Sequence, residues 1–301
     1  MSKPVTGSKS PGALGVLLAP YARRIELALE RFLVEPGTPA EVAQAMRYCV
    51  LGGKRLRPAL VLMAAEATGD GWADNLADRA AAAVEMVHCY SLAHDDLPAM
   101  DDDSLRRGQP TAHVKFGEAM AVLAGDALLT RAFGVLADSG DPLCGPLAAE
   151  LACGAGPAGM IAGQAADMGL CELPPGQEAL GFIHWHKTAA MLRSAARMGA
   201  ICSRALAGQL EAVSRYAESL GLAFQLVDDM LDVTGTAGQL GKTPGKDASA
   251  GKRTYVGELG IGRARELCDE LTARAVGSLE APGVRGQKLR ELAELLVVRR
   301  H

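Results

Sequence analysis

The chain has 301 residues, with 31 Lys and Arg against 35 Asp and Glu, a net charge of -4, 49% apolar residues and 4% aromatic residues. That composition excludes disorder as a whole-chain state, does not fit collagen, mucin or prion-like classes, and can close one large core. A chain that coats nucleic acid would be basic, so no nucleic-acid partner is expected and any anionic ligand must be met locally.

Residues 1–12 open the chain with Ser, Lys, Gly and Pro and read as a disordered lead, leaving one domain over residues 13–301. Lys3 and Lys9 precede an apolar run, Gly12 to Ala19, that is too short for a secretory leader and has no small-residue cleavage site behind it. From there Ala, Leu, Glu, Arg and Met dominate, and the aromatic and β-branched runs that mark strands are nearly absent, so the fold class is all-α. Apolar periodicity predicts helices over Leu14–Val34, Ala40–Leu51, Pro58–Thr68, Ala77–His94, Ala119–Ala137, Ala148–Gly163, Ala179–Ala207, Gln209–Asp232, Ile261–Leu279 and Gly286–Val298. Turn chemistry separates them at Pro36-Gly37, Gly52-Gly53, Gly69–Gly71, Gly140–Pro142, Pro174–Gly176, Gly235–Lys252 and Pro282-Gly283, and none of these linkers is long enough to divide two domains. The longest apolar stretch, Phe116 to Ala137, carries Glu118, Asp126 and Arg131, so no membrane span is expected. Seven cysteines stand singly, without metal or disulfide spacing, which points to a reducing compartment, the cytoplasm.

Two acidic clusters echo each other, His94–Asp103 and Gln225–Asp232, each at the C-terminal end of a long apolar helix. Carboxylates there oppose the helix dipole and cost stability unless a cation offsets them. Asp228 and Asp232, four apart, share a helix face with Asp229 beside them, which suits Mg²⁺ bridging carboxylates to phosphates; the plainer alternative is a solvated helix end. Asp95 and Asp101 are six apart and point about 120° away from each other on a regular helix. A last turn distorted at Pro98 would bring Asp95, Asp96 and Asp101 towards one site; the alternative is a charged loop.

Basic side chains recur beside glycines or apolar helices: Lys54, Arg55 and Arg57, then Arg106 and Arg107, Lys187 before Thr188, and Lys242, Lys246 and Lys252. Each alone reads as a surface charge, but together with two aspartate clusters they suggest a polyphosphate clamp with metals on one side and cations on the other.

Gly52–Pro58, the run from His88 to Thr111, and Phe224–Asp232 followed by Leu240-Gly241-Lys242 resemble, in order, the motifs of the trans-isoprenyl diphosphate synthases. The resemblance covers nearly the whole chain after the first dozen residues and implies a single large helical bundle of the isoprenoid synthase type with a central apolar cavity. It implies Mg²⁺, as three ions with Mn²⁺ as a substitute, on Asp95, Asp101, Asp228, Asp229 and Asp232, supported by Asp96. Arg106, Lys187, Thr188, Gln225 and Lys242 match residues that hold an allylic diphosphate (dimethylallyl or geranyl). Lys54, Arg57, His88 and Arg107 match those that hold isopentenyl diphosphate. Ala189–Leu192 stand where family members commonly carry a glycine, which leaves the local helix packing open. The resemblance further implies a homodimer, and a chain-length stop at Tyr90, beside the small Ser91, that favours a farnesyl over a geranylgeranyl product. A terpene cyclase, the competing class, has no use for a second diphosphate site.

Overall fold

A computed structural model describes residues 12–69, 75–173, 176–234 and 254–298. The helices are α1 (Ala13–Phe32), α2 (Ala40–Cys49), α3 (Leu56–Thr68), α4 (Asn75–Asp95), α5 (Ala112–Phe116), α6 (Glu118–Ala137), α7 (Cys144–Ala155), α8 (Met160–Asp167), α9 (Gln177–His184), α10 (Ala190–Cys202), α11 (Ala207–Thr234), α12 (Tyr255–Ser278) and α13 (Gln287–Val298). A five-residue π-helical turn, Trp185–Ala189, joins α9 to α10.

Helix α4 is apolar on all sides along Ala80–Val84 and is accordingly enclosed, with α1, α3, α6 and α10 packed around it. Its alanines admit close neighbours, and glycines bring others closer still. A methyl at Gly199 of α10 would lie 2.1 Å from the Val61 carbonyl oxygen of α3, and one at Gly125 of α6 would lie 2.1 Å from the His94 ring of α4. A second, smaller apolar cluster joins Ala223, Leu226, Val227 and Met230 of α11 to Ala264, Cys268 and Leu271 of α12. It fixes the end of α11 that carries the second aspartate cluster.

Three expected elements differ. The helix over Ala148–Gly163 is two, because α7 stops at Gly156, where a side chain would meet the Ala152 carbonyl oxygen at 2.4 Å, and Pro157 supplies no amide to extend it. The helix over Ala179–Ala207 is α9, the π-turn and α10, and it ends at Cys202, just before Arg204 turns left-handed at φ 57°. The stretch after the first aspartates contains a small antiparallel hairpin, β1 (Leu105–Arg106) with β2 (Gln109–Pro110), whose turn residues Arg107 and Gly108 both have positive φ, 53° and 74°. Arg106-Arg107-Gly108-Gln109 carries no β-branched signal, so composition concealed the hairpin.

Among the described residues, only α6 has the length and hydropathy to cross a membrane. It carries Asp126 and Arg131, and Arg131 bonds the Phe32 carbonyl, Glu35 and Asp138 while the helix packs on α4. All seven cysteines are free thiols.

Candidate active site

The residues that end α4, open α3 and line α11 enclose one cavity of about 610 Å³. Lys54, Arg57, His88, Arg106, Arg107, Thr188, Gln225, Asp103 and Asp228 supply its polar wall, and Leu14, Leu18, Leu56, Leu92, Phe224 and Leu296 its apolar one.

The first aspartate cluster is shaped by its backbone. After α4 the amide of Asp101 donates to the Asp95 carbonyl at 2.8 Å and that of Asp102, left-handed at φ 49°, to the Leu97 carbonyl at 3.2 Å. This wide turn, closed around Pro98, brings Asp101 back over the helix end. Burial pushes the Asp95 carboxyl up to about 6, Lys187 pulls against that shift, and Asp101 adds to it. A carboxylate so placed is short of positive charge, which is what a divalent cation supplies. Among the described residues no three His, Cys, Asp or Glu side chains converge into a closed metal cage. The hard carboxylate oxygens of Asp95 and Asp101 are a donor set that fits an ion taking one or two carboxylates, waters and phosphate oxygens, as Mg²⁺ does.

Asp96 points inward, 2% exposed, and accepts from Arg106 Nε through both oxygens at 2.7 and 2.9 Å. It aims Arg106 rather than facing a ligand. Asp229 departs from the expected ligand set in the same way. It is 4% exposed, accepts from Gln225 Nε2 at 3.2 Å and from the Tyr255 amide at 3.1 Å, and lies 3.7 Å from His184, a ring that burial keeps neutral by lowering its pKa to about 4. Asp228, one residue earlier, lines the cavity, and Asp232 is half-buried one turn beyond it. Gln225 also accepts from Thr188 Oγ1 at 3.1 Å, so Asp229, Gln225 and Thr188 form one chain of contacts from the fold to the cavity wall.

Lys187 and Thr188 sit in the π-turn. The turn fits because two glycines make room for it: a methyl at Gly163 of α8 would lie 2.2 Å from the Lys187 amide nitrogen, and one at Gly221 of α11 would lie 2.6 Å from Ala189 Cα. Gly221 thus makes the room that Ala189 needs. Lys187 Nζ is bonded to Asp167 Oδ2 at 2.6 Å. Asp167 had no signal in spacing, being a lone acid at the end of an Ala-rich helix. Gly163→Ala is expected to force α8 off the turn, costing about 1–3 kcal/mol and raising the allylic Michaelis constant; thermal unfolding and steady-state kinetics check both.

On the opposite wall, Arg57 Nη1 meets His88 Nε2 at 3.5 Å. Burial and four surrounding arginines, Arg57 foremost, hold His88 well below the usual imidazole range, so it is neutral. Arg107 Nη1 donates to the Leu51 carbonyl at 2.9 Å, and its guanidinium lies over Gly53, whose φ of 93° is what requires glycine in that loop.

Tyr90 does not line this cavity. It is 7% exposed, with its ring edge-on to His94 of the same helix at 5.8 Å. Ser91 is half-buried and donates to the His88 carbonyl at 2.8 Å. Lys242, Lys246 and Lys252, with the loop Gly235–Lys252, lie outside the described residues, as does the expected N-terminal lead except for Gly12.

The polyprenyl synthetase family pattern matches residues 39–278. The chain is 48% identical over 263 residues to the farnesyl diphosphate synthase of Escherichia coli (strain K12), covering 84% of this chain and 87% of that one. It is 47% identical over 250 residues to the chloroplastic geranylgeranyl pyrophosphate synthase 11 of Arabidopsis thaliana, covering 80% and 70%. Among solved structures, the geranyltransferase of Helicobacter pylori, complexed with magnesium and isoprenyl diphosphate, superposes with a TM-score of 0.80 at 32% identity over 97% of this chain and 98% of that one. With motif order, all-helical bundle and cavity in agreement, the chain belongs to the polyprenyl synthetase family.

Proposed function

We propose that this trans-isoprenyl diphosphate synthase condenses isopentenyl diphosphate with dimethylallyl and then geranyl diphosphate, releasing (2E,6E)-farnesyl diphosphate. The observation that carries the reading is a single cavity walled by Lys54, Arg57, His88, Arg106 and Arg107 on one side and by Thr188, Gln225 and Asp228 on the other. A terpene cyclase needs one diphosphate site; Lys54, Arg57 and Arg107, in addition to Arg106 and the Lys187 of the turn, suit a second.

Asp95 and Asp101 at one helix end, and Asp228 with Asp232 at the other, would hold Mg²⁺. When bound, the metal neutralises charge on the departing diphosphate. Arg106, aimed by Asp96, takes the same diphosphate together with Lys187, Thr188 and Gln225. Lys54, Arg57 and Arg107 hold the second diphosphate, and neutral His88, whose Nε2 accepts from Arg57, has its remaining ring N–H to donate. The allylic cation is attacked by the double bond of isopentenyl diphosphate, and the proton then lost goes to the released diphosphate. Leu14, Leu18, Leu92, Phe224 and Leu296 keep water from the cation. The decisive experiment is incubation with Mg²⁺, isopentenyl diphosphate and dimethylallyl diphosphate, with the prenyl products separated by chromatography.

The two groups of diphosphate-binding residues separate kinetically. Arg57→Ala is expected to raise chiefly the Michaelis constant for isopentenyl diphosphate, and Lys187→Ala chiefly that for the allylic substrate, each about tenfold or more, the size of a lost charge-assisted hydrogen bond. Equal shifts in both constants from both variants would reject the assignment.

A homodimer is proposed from the apolar residues that α5 and α6 leave exposed, Val114, Val122 and Leu123. Light scattering at micromolar concentration is expected to report twice the chain mass; a monomer would refute it. Seven free thiols fit a reducing compartment, proposed to be the cytoplasm.

A further inference from the structure

The cationic wall contains a carboxylate that anion binding alone does not explain. Glu85 of α4, one turn before His88, is 1% exposed and lines the cavity beside Arg57. A negative charge there lowers the potential that attracts a diphosphate, and a buried ion pair is a poor source of stability by itself. Its geometry points to placement. Glu85 Oε1 accepts from Arg55 Nη1 at 2.6 Å, and Arg55 Nη2 donates to the Val50 carbonyl, the C-cap of α2, at 2.7 Å. Arg55 is also the N-cap of α3, left-handed at φ 53°, a conformation that persists in a non-glycine residue only when its surroundings impose it. One guanidinium therefore staples the end of α2, the start of α3 and the middle of α4. Arg55 borders the cavity with Lys54 and Arg57, but its guanidinium is turned to Glu85 and the Val50 carbonyl. Burial lowers the pKa of Arg57, and Glu85, which lines the same cavity, opposes that shift.

Resting on the proposed function, we propose that Glu85 is a positioning residue for the second diphosphate: through Arg55 it sets the loop over residues 52–57, and with it the placement of Lys54 and Arg57 on the cavity wall. The test is Glu85→Gln, which keeps the shape and removes the charge, with steady-state constants for both substrates and thermal unfolding. The Michaelis constant for isopentenyl diphosphate rises about tenfold, while the allylic constant, the turnover at saturation and the product length stay as in the parent enzyme. If Glu85→Gln does not fold, Arg55→Lys carries the test, because it keeps the charge pair, loses the fork to Val50 and shifts the same single constant. Folded variants in which both constants move together, or in which the isopentenyl constant does not move, overturn the proposal and leave the proposed function standing. A parent enzyme that forms no prenyl product sinks both.

Discussion

Alanine at Asp95 or Asp228 is expected to slow prenyl transfer by about 10²-fold or more, the cost of removing a major electrostatic group from a site of developing charge. The companion expectation is that stability does not fall. Asp95 is the last residue of α4, where the helix dipole is negative, and burial already disfavours its charged form. Its removal relieves a helix end, so the melting temperature holds or rises by the equivalent of about 0.3–1 kcal/mol. Asp229→Ala contrasts with it, because that carboxylate accepts from Gln225 and the Tyr255 amide, and its loss destabilises the joint between α11 and α12. Calorimetry beside steady-state assays separates the two. Undiminished turnover by the Asp95 or Asp228 variant, or by metal-free enzyme, would refute the assignment.

Tyr90→Ala is expected to move the main product from the fifteen-carbon to the twenty-carbon chain or longer, with ionisation retained. Tyr90 lies five residues before Asp95, about 7–8 Å down the same helix and about 140° around it, so its ring stands aside from the carboxylate. There it abuts His94, which is bonded to the Val122 carbonyl at 3.0 Å and wedged against Gly125. Ser91, four residues before Asp95, shares its face and, being small, is not expected to block the tail. A growing tail that descends past Ser91 and turns between α4 and α6 meets the phenol ring as a floor, and a packed ring does not yield cheaply. Truncation opens the floor and costs about 3–5 kcal/mol of stability, so products are compared at reduced temperature. Active Tyr90→Ala enzyme that still stops at fifteen carbons would place the floor elsewhere.

What the sequence revealed depended on how local each signal was. Helices α3, α4, α6 and α11 follow from apolar periodicity because each buries a broad face. The wide turn at Pro98 follows from the spacing of Asp95 and Asp101, which a straight helix would set apart. The π-turn was not legible, since Trp185–Ala189 continues the helical composition on both sides and the room for it comes from Gly163 and Gly221 on other helices. For the same reason spacing could not distinguish Asp228 from Asp229, whose inward course is decided by Gln225 four residues earlier and by Tyr255 on α12. Glu85 and Asp167 are single acids in apolar helices, and only the cations brought to them by folding give them a role.

The π-turn works as a phase shifter. Each residue of an α-helix advances the chain by about 100° around the axis, and a π-turn inserts one residue without extending the rod by a full turn. Everything from α10 onward is therefore rotated by about that angle relative to the pattern of α9. Deleting one residue within Trp185–Ala189 would make a smoother helix, and the faces of α9 and α10 could then no longer both meet their present neighbours. Lys187 would swing away from Asp167, or the buried face of Met191, Leu192 and Ala195 would swing out of the core. Five residues thus act as the coupling between two gears that would mesh out of step without it.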